Sequence, residues 1–321
     1  MTQALKVIIP GIQTTVQDLG RTGFQDVGVP VSGPLDRVSF RYANALVGNP
    51  PGTPALEMLR QGPALEVLAE SVRIALVGSQ GNIEVRSANA RTIPAGQSAR
   101  LIRGEEVRIG KLGDSGCAYL AIEGGLDVAT TLGSASTYFR GTLGGFNGQA
   151  LRKGDLLPIK RAGAEARDEK ALWPRLALGL AQPIRVVLGP QADYFTEDAL
   201  KTLLNSEYIV SNHADRMGFR LEGPQLAHAG GYDIVSDGIV AGAIQVPGSG
   251  LPIVLLVDAQ TTGGYPKIAT VISTDIPLLG RRKPGQAVRF VAVEAGEAEN
   301  LRKAQEAEIQ RRIAAFSVLP A

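Results

Sequence analysis

Two neighbouring stretches carry most of the chemistry this chain could perform. Ser236-Asp237-Gly238-Ile239-Val240-Ala241-Gly242-Ala243-Ile244-Gln245-Val246-Pro247 is followed by Asp258-Ala259-Gln260-Thr261-Thr262-Gly263-Gly264-Tyr265-Pro266-Lys267. Together they hold carboxylates, amides, hydroxyls, a phenol and an ammonium. Residues 251–257, Leu-Pro-Ile-Val-Leu-Leu-Val, lie between them and read as a buried strand. Polar groups crowded at both ends of a buried strand suit recognition of a small amide or carboxylate. In that role Lys267 neutralises a developing oxyanion, and Asp237 or Asp258 moves a proton. Gln245, Gln260, Thr262 and Tyr265 bind the substrate. The plain alternative is a hairpin at Gly263-Gly264 with solvated polar neighbours. Against it, Gln245 and Asp258 each border apolar residues, where an unpaired polar group is costly.

Asp215-Arg216-Met217-Gly218-Phe219-Arg220 lies upstream, with His213 close by. An Asp beside an Arg locks a loop or starts a helix through hydrogen bonds. For Asp215 and Arg216 the nearby histidine adds a substrate-binding reading. Other candidates fail on their own chemistry. Gly113-Asp114-Ser115-Gly116 resembles a nucleophile loop, but both histidines lie downstream of it, and a tight turn explains it better. The stretch from Gly104 to Lys111 has one residue too many between its glycines for a phosphate loop, and Leu112 replaces the magnesium-binding hydroxyl. No dinucleotide fingerprint is present. Gln13-Thr14-Thr15-Val16-Gln17-Asp18-Leu19-Gly20-Arg21 is similarly polar, and residues 141–148 read as a mobile glycine loop, though turn chemistry accounts for either.

The elements that must position these groups read as mainly β. Thirty-nine glycines and nineteen prolines punctuate short β-branched runs at residues 72–77, 118–122, 184–188 and 288–293. Helices are expected over residues 36–47, stopped by Gly48-Asn49, and over residues 196–205, opened by a Thr cap. A third covers the tail at residues 297–316. Asp36-Arg37-Val38-Ser39-Phe40-Arg41 echoes the later Asp-Arg motif at an offset of 179 positions, and residues 74–78 fall on 253–257 at the same offset. The echo suggests two barrel-like lobes divided near residue 180. The expected organisation is a first lobe over 1–160, a linker over 161–182, a second lobe over 183–295 and a C-terminal helix over 296–321.

Bulk composition narrows the function classes. The 321 residues suffice for two domains with real cores. Hydrophobic residues make up 44% and charged residues 20%, which fits a globular chain. Thirty-three basic against thirty-one acidic residues leave a net charge of +2, too weak a field to imply nucleic acid or a membrane surface. A single cysteine, Cys117, excludes an internal disulfide, and two histidines without metal-ligand spacing make a metal site unexpected. The first ten residues lack a basic stretch and a cleavage signal, so a soluble cytoplasmic protein is expected.

Taken together, the motifs resemble the allophanate hydrolase subunit 2 family, also called the biotin-dependent carboxyltransferase or KipA-type family. The resemblance rests on Thr15-Val16-Gln17-Asp18-Leu19-Gly20-Arg21, on Gly28-Val29-Pro30 through Ser32-Gly33-Pro34-Leu35-Asp36, and on Asn44-Ala45-Leu46-Val47-Gly48-Asn49. It continues in Ala55-Leu56-Glu57, Ser136-Thr137-Tyr138, Gly144-Gly145-Phe146, and the second-lobe motifs quoted above. Ala241 stands where the family usually has proline, and Tyr138 and Leu143 depart from its glycine-loop pattern. The resemblance implies two cyclophilin-like β-barrel lobes. It also implies a subunit working with a subunit 1 (KipI-like) protein and a LamB/YcsF-type subunit. Members of this kind are similar to the C subunit of ATP-dependent 5-oxoprolinase, an enzyme that opens 5-oxo-L-proline to L-glutamate. ATP would then enter through partner subunits, since this chain has no recognisable motif for it. The alternatives are a carboxyltransferase subunit of a biotin-dependent urea or amide carboxylase, or a non-catalytic KipA-like regulator of a kinase inhibitor. Met1, Met58 and Met217 are the chain's methionines and none flanks a lysine, so biotin would arrive on another protein.

Overall fold

The computed structural model describes residues 4–319. The chain is mainly β and divides into two compact units. One runs to Arg21 and resumes over Ser32–Leu178 and from Glu308 onward. The other takes Thr22–Val31 and Gly179–Ala307. Among the described residues no helix is long and apolar enough to cross a membrane.

The N-terminal unit sets two antiparallel sheets around one core. In spatial order the six-stranded sheet holds Leu156–Pro158, Ala4–Ile9, Ala64–Val67, Glu106–Ile109, Asn82–Arg86 and Arg91–Pro94. The five-stranded sheet holds Gln13–Gln17, Ala55–Leu59, Cys117–Ile122, Ser71–Val77 and Ser98–Ile102. Val7, Leu65 and Val107 from the first meet Val16, Leu56, Ile74 and Leu120 from the second in one apolar cluster. Asn82–Arg86 alternates exposed and buried residues, as a strand with one wet face must. Ser71–Val77 is buried throughout, because its outer face is covered as well.

Helix α1, Arg37–Leu46, does part of that covering. Its start is written locally: the Asp36 carboxylate accepts the Val38 and Ser39 N–H groups, each at 3.0 Å, and also the Ser39 hydroxyl. Gly48 stops it at a left-handed φ of 77°. A buried network fixes the entry to the helix: Tyr119 Oη donates to Glu57 Oε2 (2.6 Å) and accepts from Asp36 N–H (2.8 Å), while Leu35 N–H donates to the same Glu57 oxygen. Burial, reinforced by Cys117 and Glu57, pushes the Tyr119 phenol well above its ordinary pKa.

Part of the 161–182 segment covers the rest of that face. Ala164 N–H donates to Ser71 Oγ (3.0 Å). Buried Arg73 binds both oxygens of Glu169, Glu123 Oε2, and the carbonyls of Glu165 and Arg167. Glu169–Ala171 then pairs with Ser317–Leu319.

The C-terminal unit closes into a seven-stranded barrel. Its strands are Ile184–Leu188, Lys267–Val271, Ala243–Gln245, Ile253–Leu255, Gly218–Glu222, Glu207–Val210 and Ala287–Ala292, in that order around the wall. All neighbours are antiparallel except Ile184–Leu188 with Ala287–Ala292. Closure removes the exposed edges that an open sheet would have to protect. Three further helices follow in chain order: α2 at Glu197–Asn205, capped by Thr196 Oγ1, the short α3 at Ile276–Gly280, and α4 at Ala295–Ala314. The C-terminal helix thus ends at Ala314, and the chain returns as a strand. The expected run at 251–257 contributes only Ile253–Leu255 to the barrel.

The repeated Asp-Arg motif is not a repeated structure. Asp36 caps a helix. Asp215 closes a turn by accepting Met217 N–H (2.8 Å) and Gly218 N–H (3.2 Å), and the chain then enters a strand. Gly113-Asp114-Ser115-Gly116 is a turn, and the Ser115 hydroxyl is spent on the Cys117 carbonyl (2.7 Å).

Candidate functional site

The barrel brings several of the nominated side chains to one end of its wall. Lys267 opens one strand and pairs across the ladder with Gln245, which closes its neighbour. Both side chains are buried. A separate two-stranded ribbon, Asp237–Gly238 paired with Thr262–Gly263, lies over them. From it Asp237 Oδ2 reaches the Lys267 ammonium at 2.6 Å. The Gly238 carbonyl lies 3.5 Å from the same ammonium. Gln245 Nε2 donates to the Tyr265 carbonyl at 3.1 Å. Gly263 packs so closely on the Gln245 amide that a Cβ there would sit 2.6 Å from Nε2. A side chain there would force the Gln245 amide to shift.

The Lys267 ammonium, joined by the Gly238 N–H, holds the Asp237 carboxyl below the usual carboxylate range. Asp237 is therefore an anion at neutral pH and a weak base.

Asp258 and Arg216 form a second pair. Arg216 Nε donates to Asp258 Oδ2 (2.8 Å) and Nη2 to Oδ1 (3.1 Å), a fork-to-fork contact with both side chains buried. The backbone repeats the link, Asp258 N–H donating to the Arg216 carbonyl at 3.0 Å. Asp215 is an exposed turn former, and Gln260, Thr262 and Tyr265 are exposed.

One participant escaped the sequence reading. Gln191 Oε1 accepts the Lys267 backbone N–H (3.2 Å), and its side chain adds a little to the lowering of the Asp237 carboxyl pKa. Nearby Gly189 lies so close to the Lys267 carbonyl that a Cβ would fall 2.1 Å from it. The signal available in sequence was Gly189-Pro190-Gln191 directly after a strand, a polar turn with a glycine at its start.

The polar segments of the N-terminal unit also converge. Asp18 accepts the Ser134 and Ser136 hydroxyls and the Gly20 and Ala135 N–H groups. Gly145 N–H donates to the Ala135 carbonyl (2.9 Å), and Tyr138 and Leu143 exchange backbone hydrogen bonds, so residues 141–148 are a tied set of turns. A cleft of about 540 Å³ in the same unit, lined by Arg73, Ser98, Arg100, Arg167 and Glu169 among others, includes none of the nominated residues. Among the described residues no group of three or more His, Cys, Asp or Glu is placed to hold a metal ion.

Comparison with known proteins agrees with this architecture. The chain is 36% identical to the 5-oxoprolinase C subunit of Escherichia coli K12 over 306 residues, covering 94% of this chain and 95% of that one. It is 32% identical to the urea amidolyase of Saccharomyces cerevisiae over 99% of its own length, but spans only 18% of that protein. The crystal structure of the Kluyveromyces lactis urea amidolyase superposes with a TM-score of 0.86 at 31% identity, over 97% of this chain and 20% of that one. A sequence profile of the carboxyltransferase domain, subdomain A and B, matches residues 27–292, and the chain belongs to that family.

Proposed function

We propose that this chain is a subunit of an ATP-dependent 5-oxoprolinase, acting with partner subunits to open 5-oxo-L-proline to L-glutamate. One observation carries the reading: the likeness to the 5-oxoprolinase C subunit runs nearly end to end on both chains, whereas the urea amidolyase is more than five times longer than the stretch it shares.

The chemistry supports the same choice. A lactam is an unreactive amide, and phosphorylation of its oxygen by ATP would turn that oxygen into a leaving group. The phosphate donor would come with a KipI-like or LamB/YcsF-type partner. This chain's share is recognition. The Lys267 ammonium would neutralise the substrate carboxylate or a developing oxyanion, and the Gln245 amide would donate to a carbonyl. Lys267 and Asp237 at 2.6 Å form a charge-assisted pair whose proton stays on nitrogen while Asp237 is a weak base. Asp237 is thus better suited to holding Lys267 than to accepting a proton. Asp258, gripped at both oxygens by Arg216, is suited to bracing the loop.

A second reading has its own support. The close superposition on a urea amidolyase favours a carboxyltransferase acting on a urea-like amide. Carboxybiotin would then be a substrate delivered by a carrier protein. The two readings separate in one experiment: assay the purified chain alone and reconstituted with its partners. Hydrolysis of ATP that depends on 5-oxo-L-proline and appears only in the mixture is expected. Full activity without this chain would end the proposal, and a requirement for a biotinylated carrier would favour the second reading.

A further inference from the structure

The Lys267–Asp237 pair is lopsided. The lysine side chain is 6% exposed and the aspartate 54%. An ammonium at the barrel end is costly to bury without a counter-ion. Here the counter-ion is supplied by a thin ribbon rather than by the barrel wall. Among the described residues no barrel strand pairs with the Asp237–Gly238 and Thr262–Gly263 strands. Gly230 and Gly231 precede the ribbon, and Val235, two residues before it, is 92% exposed. Its two sides are stitched to each other by Ile234 N–H to Gly264 O (2.8 Å) and Ile239 N–H to Thr261 O (2.9 Å). Ile239 anchors one end in a small apolar cluster with Ala243, Leu255 and Ala259.

The same ribbon satisfies both buried donors beneath it. Asp237 takes the ammonium, and the Tyr265 carbonyl takes the Gln245 amide. Lys267 and Gln245 are cross-strand partners next to a register shift in the ladder, so both side chains belong to the same end of the barrel. An ammonium and an amide donor side by side at one end of the barrel are the two groups that a carboxylate and a carbonyl on one small ring would need.

The geometry points to a small-carboxylate site at Lys267 and Gln245 that Asp237 and Tyr265 occupy in the ligand-free chain. The ribbon is a self-inserted plug, and an incoming carboxylate exchanges for Asp237. No covalent step is involved. The ammonium trades one carboxylate for another, and the Asp237 carboxylate, already more than half exposed, moves into water. This deepens the proposed function, on which the choice of a cyclic carbonyl carboxylate rests. The carboxylate seat itself depends only on the ion pair.

The test uses the full chain with three probes: 5-oxo-L-proline, its uncharged carboxamide, and cyclopentanecarboxylate, which has the carboxylate but no lactam. Titration calorimetry reads affinity, and hydrogen exchange reads residues 232–240. Both carboxylates should bind, cyclopentanecarboxylate more weakly, and the carboxamide should not. Exchange in the ribbon should rise at saturation. Asp237→Asn should tighten binding of both carboxylates about tenfold by removing the competing group. Lys267→Met should abolish it. Ribbon exchange unchanged at saturating carboxylate in the wild-type chain would overturn the plug without needing any variant. Asp237→Asn binding no tighter, with a melting temperature close to wild type, would overturn it too. Carboxylate-driven ribbon opening without lactam-dependent ATP hydrolysis in the reconstituted complex would sink the 5-oxoprolinase reading alone. ATP hydrolysis without ribbon opening would sink the plug alone.

Discussion

The buried Arg216–Asp258 pair gives a stability prediction whose size follows from its geometry. The two side chains are 4% and 5% exposed and meet through two hydrogen bonds, at 2.8 and 3.1 Å. Asp258→Ala would remove the carboxylate that accepts from Nε and Nη2 while the guanidinium stays buried. Stranding one member of such a pair costs about 3–5 kcal/mol. For a unit of this size that corresponds to a fall in Tm of roughly 6–20 °C. Replacing both members by apolar residues of similar volume, Arg216→Met with Asp258→Leu, removes the stranded charge. The double variant should recover to within about 1 kcal/mol of wild type, or exceed it. The assay is calorimetric unfolding of the full chain. Trp173, the single tryptophan, lies in the N-terminal unit, so its fluorescence is a control that the other unit is undisturbed. Two units need not melt together, so the transition of the C-terminal unit is the one to follow. If Asp258→Ala cost less than about 1 kcal/mol, or if the double variant were as unstable as the single one, the pair would not be the brace its geometry indicates.

Three further outcomes follow from the same structure. Arg73→Met removes the cation that binds Glu123, Glu169 and two carbonyls of residues 165–167, so protease cleavage within residues 163–171 should accelerate and stability should fall by about 3–5 kcal/mol; an unchanged digestion pattern would refute this. Tyr208 buries a hydroxyl with no hydrogen-bond partner among the described residues, and burial pushes its pKa up to about 12. A raised folded pKa gives stability that is complete below the ordinary value of 10.0 and is lost as pH rises through about 12, with a slope of up to ~1.4 kcal/mol per pH unit. Tyr208→Phe should therefore gain about 1 kcal/mol at neutral pH and lack the alkaline loss, as read by urea unfolding at pH 7 and 11. The Asp237 carboxyl sits below its ordinary value of 3.8, so its contact with Lys267 persists above that value and fails only as pH falls through the lower, folded one. A carboxyl carbon NMR titration should place the midpoint below 3.8 and return it towards 3.8 in Lys267→Met, and a wild-type midpoint at or above 3.8 would contradict the ion pair.

What could be read in the sequence was mostly what is decided locally. Asp36 and Thr196 start their helices because a side-chain oxygen reaches an N–H two or three residues on, a relation visible in any window of that length. The repeated Asp-Arg motif was legible as a sign of two lobes, but not as a repeated local structure. Asp36 caps a helix and Asp215 closes a turn before a strand, and the residues between the matched ones differ, Val38-Ser39 in one copy and Met217-Gly218 in the other. Arg73 and the segment it holds lie some ninety residues apart, and nothing in an Ala-rich, mixed-charge run announces which buried cation will seize it.

The candidate site lies between these cases. Polar groups beside apolar runs must be paired when buried, so their presence at Gln245, Asp258 and Lys267 was a legible demand for partners. The partners were not legible, because they sit 20, 42 and 30 residues away: the Tyr265 carbonyl, Arg216 and Asp237. Once paired, these groups have answered the demand that drew attention to them, and burial alone no longer argues for a ligand. The deciding difference is in the partner's exposure. Arg216 and Asp258 are sealed together, and neither can be exchanged without opening the fold around them. Lys267 is sealed and Asp237 is not, so of these two ion pairs it is the one a dissolved carboxylate can enter.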